Sequence, residues 1–295
     1  MLTGAMVMWW ILTVPSVIFV AVDMFRITPE ATVMKWAFVI LTVFTGPLGA
    51  FFYVLGCREP LSGSHEEYTS VRWRQALGST MHCAAGDGLG IIAGAAIGAV
   101  LALSFWPGFA LEYSLGFGFG WVFFQAFAMR AMAGGNYLKS LKMTFLPEFV
   151  SMNLLMSGMI LTDMFAMSRI AGADDPANAQ FWFVMSMALI VGFACAYPMN
   201  WWLVANDMKH GMLTVAAAAP DNDAAAMSGM PGMAPQGHGE HAGHGGEAMR
   251  GEVMTDQAMD DAMQSQPTVG LRVAMVAVSL IALALALLVV NLFLR

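Results

Sequence analysis

The chain has 295 residues, of which 58% are hydrophobic and only 11% are charged. A soluble domain usually carries about 25% charged residues, so this composition excludes an ordinary soluble protein and predicts one that is surrounded by lipid. The net charge of −7 arises mainly in an acidic stretch over 221–261, and no basic stripe indicates a nucleic-acid partner.

Apolar runs of about 20 residues are long enough to cross the hydrocarbon core as helices. We predict an all-α, multi-pass transmembrane bundle of about seven spans, placed in the inner (cell) membrane of a bacterium with the lipid bilayer around it. No basic segment precedes the first run and no small-residue cleavage site follows it, so we expect an uncleaved helix. The runs cover roughly 5–22, 36–56, 79–105, 109–133, 146–168, 181–205 and 270–293.

The distribution of Lys and Arg predicts the orientation. With seven spans, nine of the 13 Lys and Arg residues lie on the side that holds the N-terminus and the connections after spans two, four and six. Because positive residues collect on the cytoplasmic side, the N-terminus is predicted in the cytoplasm and the C-terminus outside.

Three segments differ in composition. Residues 1–205 are predicted to form a six-span body with short connections. Residues 206–268 are rich in Ala, Gly, Pro and acidic residues, which cannot bury enough apolar surface to compensate for ordering, so a disordered loop is expected. Residues 269–295 are predicted to form a seventh span of almost entirely apolar residues, which is expected to serve as an anchor or packing helix.

The third span, "STMHCAAGDGLGIIAGAAIGAV", carries ionisable residues in an apolar run. Cys83 and Asp87 are one helical turn apart on one face, and His82 lies about 100° away. Imidazole, thiolate and carboxylate are common ligands of transition metals. The alternatives are a structural network in which Asp87 pairs with an arginine such as Arg130, and a proton or redox role.

The same span contains glycines at four-residue spacing, which permit close approach of another helix. Their expected partners are two glycines of the "GFGFG" segment in the fourth span. The glycines are Gly86, Gly90, Gly94 and Gly98 in the third span and Gly116 and Gly120 in the fourth.

The fifth span carries a stripe of acidic and thioether side chains at spacings of three and four residues, which places them on one helical face. Such a stripe could pass a soft cation from site to site, although a methionine stripe also occurs as ordinary core packing. Its members are Glu148, Met152, Met156, Met159, Asp163 and Met167.

The sixth span ends in "CAYPMNWWLVANDMKHGM". Pro198 is expected to kink the helix near Asn200, which could serve a pathway or mark the membrane boundary. The two tryptophans that follow are typical of the aromatic belt at that boundary. Lys209 and His210 are predicted to lie just outside the membrane.

The loop between the last two spans contains two clusters of metal ligands. Imidazole suits copper, zinc and nickel, and thioether favours Cu(I), so we predict that the loop captures copper, with zinc as the second candidate. The alternative is a low-complexity spacer with no ligand role. The clusters are His238, His241 and His244 in "HGEHAGH" and Met227, Met230 and Met233 in "MSGMPGM".

The segments "STMHCAAGDGLGI", "FLPEFVSMNLLMSGM" and "YPMNWWLVANDMKHGM" resemble a bacterial family of polytopic membrane proteins labelled as a domain of unknown function. The resemblance covers roughly residues 35–212. It implies a helical bundle in a membrane and supplies no catalytic or binding residue. The residues that fit its two motifs are His82, Cys83, Gly86 and Asp87, and Tyr197, Pro198, Asn200, Trp201, Trp202, Lys209 and Met212.

These patterns favour a metal-handling membrane protein, most simply a copper permease or tolerance component. The runner-up is a non-catalytic subunit or scaffold that associates with other membrane subunits. An electron-transfer subunit is disfavoured because His82 alone lies deep enough to bind haem. No hydrolase, metalloprotease or phosphate-binding motif is present, so the sequence gives no support for an enzyme.

Overall fold

The computed structural model describes residues 2–30, 32–61, 64–130, 133–209 and 267–293. Within these ranges the regular structure is helical, and a π-helical segment follows α6 over Phe119–Gln125. The α-helices are α1 (Leu2–Arg26), α2 (Thr32–Thr45), α3 (Pro47–Gly56), α4 (His65–Thr69), α5 (Arg72–Val100), α6 (Phe105–Gly118), α7 (Ala126–Ala128), α8 (Tyr137–Met167), α9 (Ala179–Ala205) and α10 (Val269–Phe293).

Five helices are long and apolar enough to cross a membrane, namely α1, α5, α8, α9 and α10. The prediction of an all-helical fold is confirmed for the described residues, and the five long apolar helices fit a membrane protein. α1 and α10 expose most of their surface, whereas α5 is two-thirds buried. The α5 helix is therefore the centre of the bundle, and α1 and α10 lie at its periphery.

The prediction of one span over residues 36–56 is wrong, because that run is broken into the short helices α2 and α3. Gly46, between them, has φ +54°, and a Cβ added there would lie 2.6 Å from Thr13 Oγ1. The turn therefore lies against the middle of α1. At the other end of the hairpin, Tyr53 donates to Asp23 Oδ2 at 2.6 Å, and Asp23 also pairs with Arg58. The α2–α3 hairpin thus begins and ends beside the C-terminus of α1.

The fourth predicted span is one helical rod with an altered middle. α6, the π segment and α7 follow one another without a break over residues 105–128. At about 1.5 Å per residue this rod has a length of about 36 Å, enough for a crossing. The π segment packs against α5 and α8, where it faces the buried polar residues described below.

The predicted glycine contacts between the third and fourth spans are confirmed. A Cβ added to Gly86 would lie 2.8 Å from Gly120 Cα, and one added to Gly90 would lie 2.7 Å from Gly116 Cα. The atoms in the way are backbone, so side chains at these positions would force α5 and α6 apart. The glycines therefore allow the close approach that buries the centre of α5.

The ends of the helices collect on two sides. Arg74 and Tyr68 both bond to the backbone of Leu55, so α3 ends where α5 begins. The start of α8 and the end of α9 lie at this same end, joined by the ion pair between Glu148 and Lys209. We call this side of the bundle the Lys209 end.

Candidate metal centre

Three side chains capable of binding a metal meet where α5 packs against α8. The thiol of Cys83 donates to Asp87 Oδ2 at 3.0 Å and lies 3.5 Å from Glu148 Oε1. One donor atom from each of the three side chains falls within 4.8 Å of the other two. All three residues are fully buried. Thiolate and carboxylate are ligands that transition metals accept in proteins, so the group has the composition of a metal site.

Lys209 supplies a positive charge beside this group. Its Nζ lies 2.9 Å from Glu148 Oε2 and donates to Asn200 Oδ1 at 3.0 Å. The sequence placed Lys209 just outside the membrane, but the residue is only 4% exposed and reaches back into the bundle. The ion pair with Glu148 compensates the charge of the Lys209 ammonium inside the bundle.

A hydrogen-bond network extends the site to α9. Asn200 Nδ2 donates to Ser151 Oγ at 2.8 Å, and that hydroxyl lies 3.1 Å from the sulfur of Cys83. Ser79 of α5 donates to Asn200 Oδ1 at 3.3 Å. Asn200 therefore joins three helices to the site, which explains why an amide is buried there.

The π segment makes room for the carboxylates. A Cβ added to Gly120 would overlap Asp87 Oδ1 and would lie 2.8 Å from Glu148 Oε1. Asp87 Oδ1 is buried and has no hydrogen-bond partner among the described residues, which is costly for a polar atom in an apolar interior. π-Helical turns are frequent at functional sites. This one leaves a carboxylate oxygen available to a proton or to a cation.

His82 lies apart from the three-residue group. Its ring packs edge-on against Phe124, with 5.6 Å between ring centroids. Its Nε2 atom is buried without a hydrogen-bond partner in the described part of the chain. Arg130, the suggested partner of Asp87, instead donates to the carbonyl of Gly135 at an exposed turn. The structure therefore brings together Cys83 and Asp87 of the predicted ligands and adds Glu148.

The stripe on α8 is buried along most of its length. Met152, Met156 and Met159 are fully buried and Asp163 is 8% exposed. Asp163 interacts electrostatically with Glu112 of α6, so a second pair of acidic side chains lies toward the other end of the bundle. The three thioethers thus lie between two groups of acidic side chains, one at Glu148 and one at Asp163, which we call the two acidic levels.

The predicted loop ligands lie outside the described residues. They are His238, His241 and His244, and Met227, Met230 and Met233. The geometry presented here therefore concerns the helical bundle alone.

The sequence missed two features of the site. The sequence predicts Glu148 as part of a pathway and not of the ligand group, because residues 61 positions or more apart in sequence come together only when α5 and α8 pack. The sequence predicts Lys209 just outside the membrane because this residue follows the apolar run of α9. The family motif contains both Asn200 and Lys209, and this was the one indication in the sequence that Lys209 belongs to the site.

Residues 72–209 match the model of a family described as Domain of unknown function (DUF4396). The family resemblance seen in the sequence is confirmed over this range, which includes Cys83, Asp87, Glu148 and Lys209. The α2–α3 hairpin and α10 lie outside it. No curated protein and no solved structure matches the chain.

Proposed function

Because residues 72–209 match a family described only as a domain of unknown function, we propose a function from the site itself: the protein binds a transition-metal ion inside the bundle and conducts it across the cell membrane. The observation that carries the proposal is the buried group of Cys83, Asp87 and Glu148, whose donor atoms lie within 4.8 Å of one another. Ionisable side chains inside a membrane are rare and usually mark ion or proton pathways.

Charge balance supports the exchange of a cation for protons at this group. Two carboxylates, a protonated thiol and the ammonium of Lys209 leave one negative charge, so one added proton makes the group neutral. A divalent ion held by a thiolate and two carboxylates beside the same ammonium is also neutral. Buried net charge is unfavourable, so binding of one divalent ion would release two protons, one of them from Cys83.

The α8 stripe supports a route away from the site. Glu148 and Asp163 are 15 residues apart on one helix, a distance of about 22 Å along its axis. Met152, Met156 and Met159 lie between them on the same face. Thioether sulfurs are weak, exchangeable ligands for soft ions, so a cation could move between the two acidic levels in short steps.

Copper and zinc are the two candidate ions. The thioethers of the stripe and of the His/Met loop favour copper, whereas one thiolate with two carboxylates suits a borderline divalent ion such as zinc. Copper remains the first choice on the composition of the chain, and zinc is the second.

The hairpin changes the proposed orientation. Since α2 and α3 return to the same end, ten Lys and Arg residues of the described chain lie at the Lys209 end and Arg169 alone lies at the other. Positive residues collect in the cytoplasm, so we place the Lys209 end there and both chain termini outside. The ten residues are Arg26, Lys35, Arg58, Arg72, Arg74, Arg130, Lys139, Lys142, Lys209 and Arg272.

Metal flux into proteoliposomes tests the function. We expect the wild-type chain to transport copper or zinc and Cys83→Ala to lose at least 90% of the flux. Cys195→Ala is the matched control, because Cys195 is a free and exposed thiol on α9. Absence of flux in the wild type, or equal flux in folded Cys83→Ala, would overturn the proposal.

A scaffold is the second candidate, and the closed network around Asn200 favours it. Asn200 bonds to Ser79, Ser151 and Lys209, which would hold α5, α8 and α9 in register whether or not an ion binds. In that case Cys83→Ala would leave metal content unchanged, whereas Asn200→Ala would reduce thermal stability.

A further inference from the structure

A second set of metal-ligating side chains lies at the Lys209 end, outside the family domain. Glu30 follows α1, Cys57 ends α3, and His65 begins α4. All three are at most 4% exposed. Glu30 lies in the connection between α1 and α2, whereas Cys57 and His65 lie at the two ends of the connection between α3 and α4. The return of the α2–α3 hairpin is therefore what brings Glu30 to the other two.

The three donor atoms form a nearly equilateral triangle. Cys57 Sγ lies 3.8 Å from Glu30 Oε1 and 3.8 Å from His65 Nε2, and the latter two atoms are 3.6 Å apart. A point equidistant from the three lies about 2.2 Å from each, within the range of about 2.0–2.3 Å observed for zinc bound to oxygen, nitrogen and sulfur.

We propose that Glu30, Cys57 and His65 bind a divalent transition-metal ion of the zinc type. A carboxylate and a thiolate carry two negative charges and a neutral imidazole carries none, so the occupied site is electrically neutral. On binding, the thiol of Cys57 loses its proton to the solvent, while the metal undergoes no change of oxidation state.

Burial favours the uncharged form of both ionisable groups, the imidazole and the thiol. It lowers the pKa of the His65 imidazole and raises the pKa of the Cys57 thiol.

The surroundings hold the ligands in place. The backbone N–H of Cys57 donates to the carbonyl of Tyr53 at 2.9 Å, and the Tyr53 hydroxyl is bound to Asp23 and lies 2.7 Å from that of Thr28. Glu59 interacts electrostatically with His65. Acidic groups next to a metal-bound histidine orient its ring. An ion here would fasten the end of α1 to the hairpin and to α4.

Cobalt binding to the full chain in detergent tests this site. The double variant Cys83→Ser/Cys195→Ser retains Cys57 as the only cysteine of the chain. We expect Co²⁺ to produce a sulfur-to-metal charge-transfer band in this variant, with one ion bound per Cys57. Adding His65→Gln should weaken Co²⁺ binding at least tenfold, whereas His82→Gln serves as the matched control and should leave it unchanged.

Absence of the band in the folded double variant, or a band that His65→Gln does not affect, would overturn the site. A second measurement uses the chain with all its cysteines: His65→Gln should lower the zinc content by one ion per chain and His82→Gln should not. Equal zinc contents would also overturn it. The result is separate from the proposed transport, since Cys83→Ala should stop flux and leave the Cys57 site intact.

Discussion

At the scale of single residues, the buried polar groups of α5 and α8 fit only because nearby glycines have no side chain. Gly120 is the clearest case, because its missing Cβ leaves the space taken by Asp87 Oδ1. A Cβ added to Gly118, two residues earlier, would have no atom within 4 Å. Alanine substitutions at the two glycines therefore distinguish a clash with the site from the general effect of alanine on helix stability.

Gly120→Ala should lower the free energy of unfolding by about 1–3 kcal/mol, the usual result of overpacking a core, and should weaken metal binding. Thermal unfolding in detergent and metal titration measure the two effects. Gly118→Ala should leave stability unchanged or raise it slightly, since alanine is the better helix former. Equal effects of the two substitutions would contradict the geometry of the site.

Lys209 is the second residue whose removal has a definite outcome. Lys209→Met leaves the carboxylate of Glu148 buried without its cation, which should cost about 3–5 kcal/mol of stability. Adding Glu148→Gln removes the uncompensated charge and should recover most of the loss. Denaturation of the single and double variants measures the coupling, and strictly additive losses would show that the pair does not interact.

At the scale of elements, the α2–α3 hairpin depends on its turn. Gly46 combines φ +54° with a close approach to Thr13 and Trp9, so alanine there meets both backbone strain and a clash. Gly134, in the turn before α8, shows the contribution of backbone strain by itself, because it has φ +66° and an added Cβ there would meet nothing within 4 Å.

Gly46→Ala should lower the free energy of unfolding by about 2–4 kcal/mol, of which strain gives about 1–3 and overpacking the remainder. Gly134→Ala, which adds strain without a clash, should cost about 1–2 kcal/mol. The comparison is made by thermal unfolding in detergent. A loss at Gly46 no larger than that at Gly134 would place the turn away from α1.

At the scale of the whole molecule, the hairpin decides which connections share a side of the membrane. Seven spans would put the N-terminus on the same side as the connection before α5. A hairpin that returns to its own end puts them on opposite sides, and it separates the Lys and Arg residues more completely.

Cysteines introduced at exposed positions test this arrangement. Thr3→Cys and Ser168→Cys should react with a membrane-impermeant maleimide in intact cells, whereas Ser70→Cys should react only after permeabilisation. The parent chain for these variants carries Cys195→Ala, which removes the exposed native thiol, whereas Cys57 and Cys83 are buried. Reaction of Thr3→Cys and Ser70→Cys on the same side would restore the seven-span arrangement.

Much of the bundle could be predicted because its cause is local. A run of 20 apolar residues must satisfy its own backbone hydrogen bonds in lipid, and a helix does so from within. The close packing of α5 through its glycines could also be predicted, because four-residue spacing places them on one helical face whichever helix packs there. The α2–α3 hairpin could not be predicted, since residues 36–56 are as apolar as a membrane-crossing helix and a single glycine, Gly46, reverses the direction of the chain.

The sequence by itself determined that the chain forms helices long and apolar enough to span a membrane, that α5 packs closely through its glycines, and that Cys83 and Asp87 share a face. Tertiary structure alone decided that Glu148 completes their group, that Lys209 neutralises it, and that Glu30, Cys57 and His65 meet. The reason is physical: residues on one helix are related by its fixed period, whereas residues on different helices meet only through the packing of those helices.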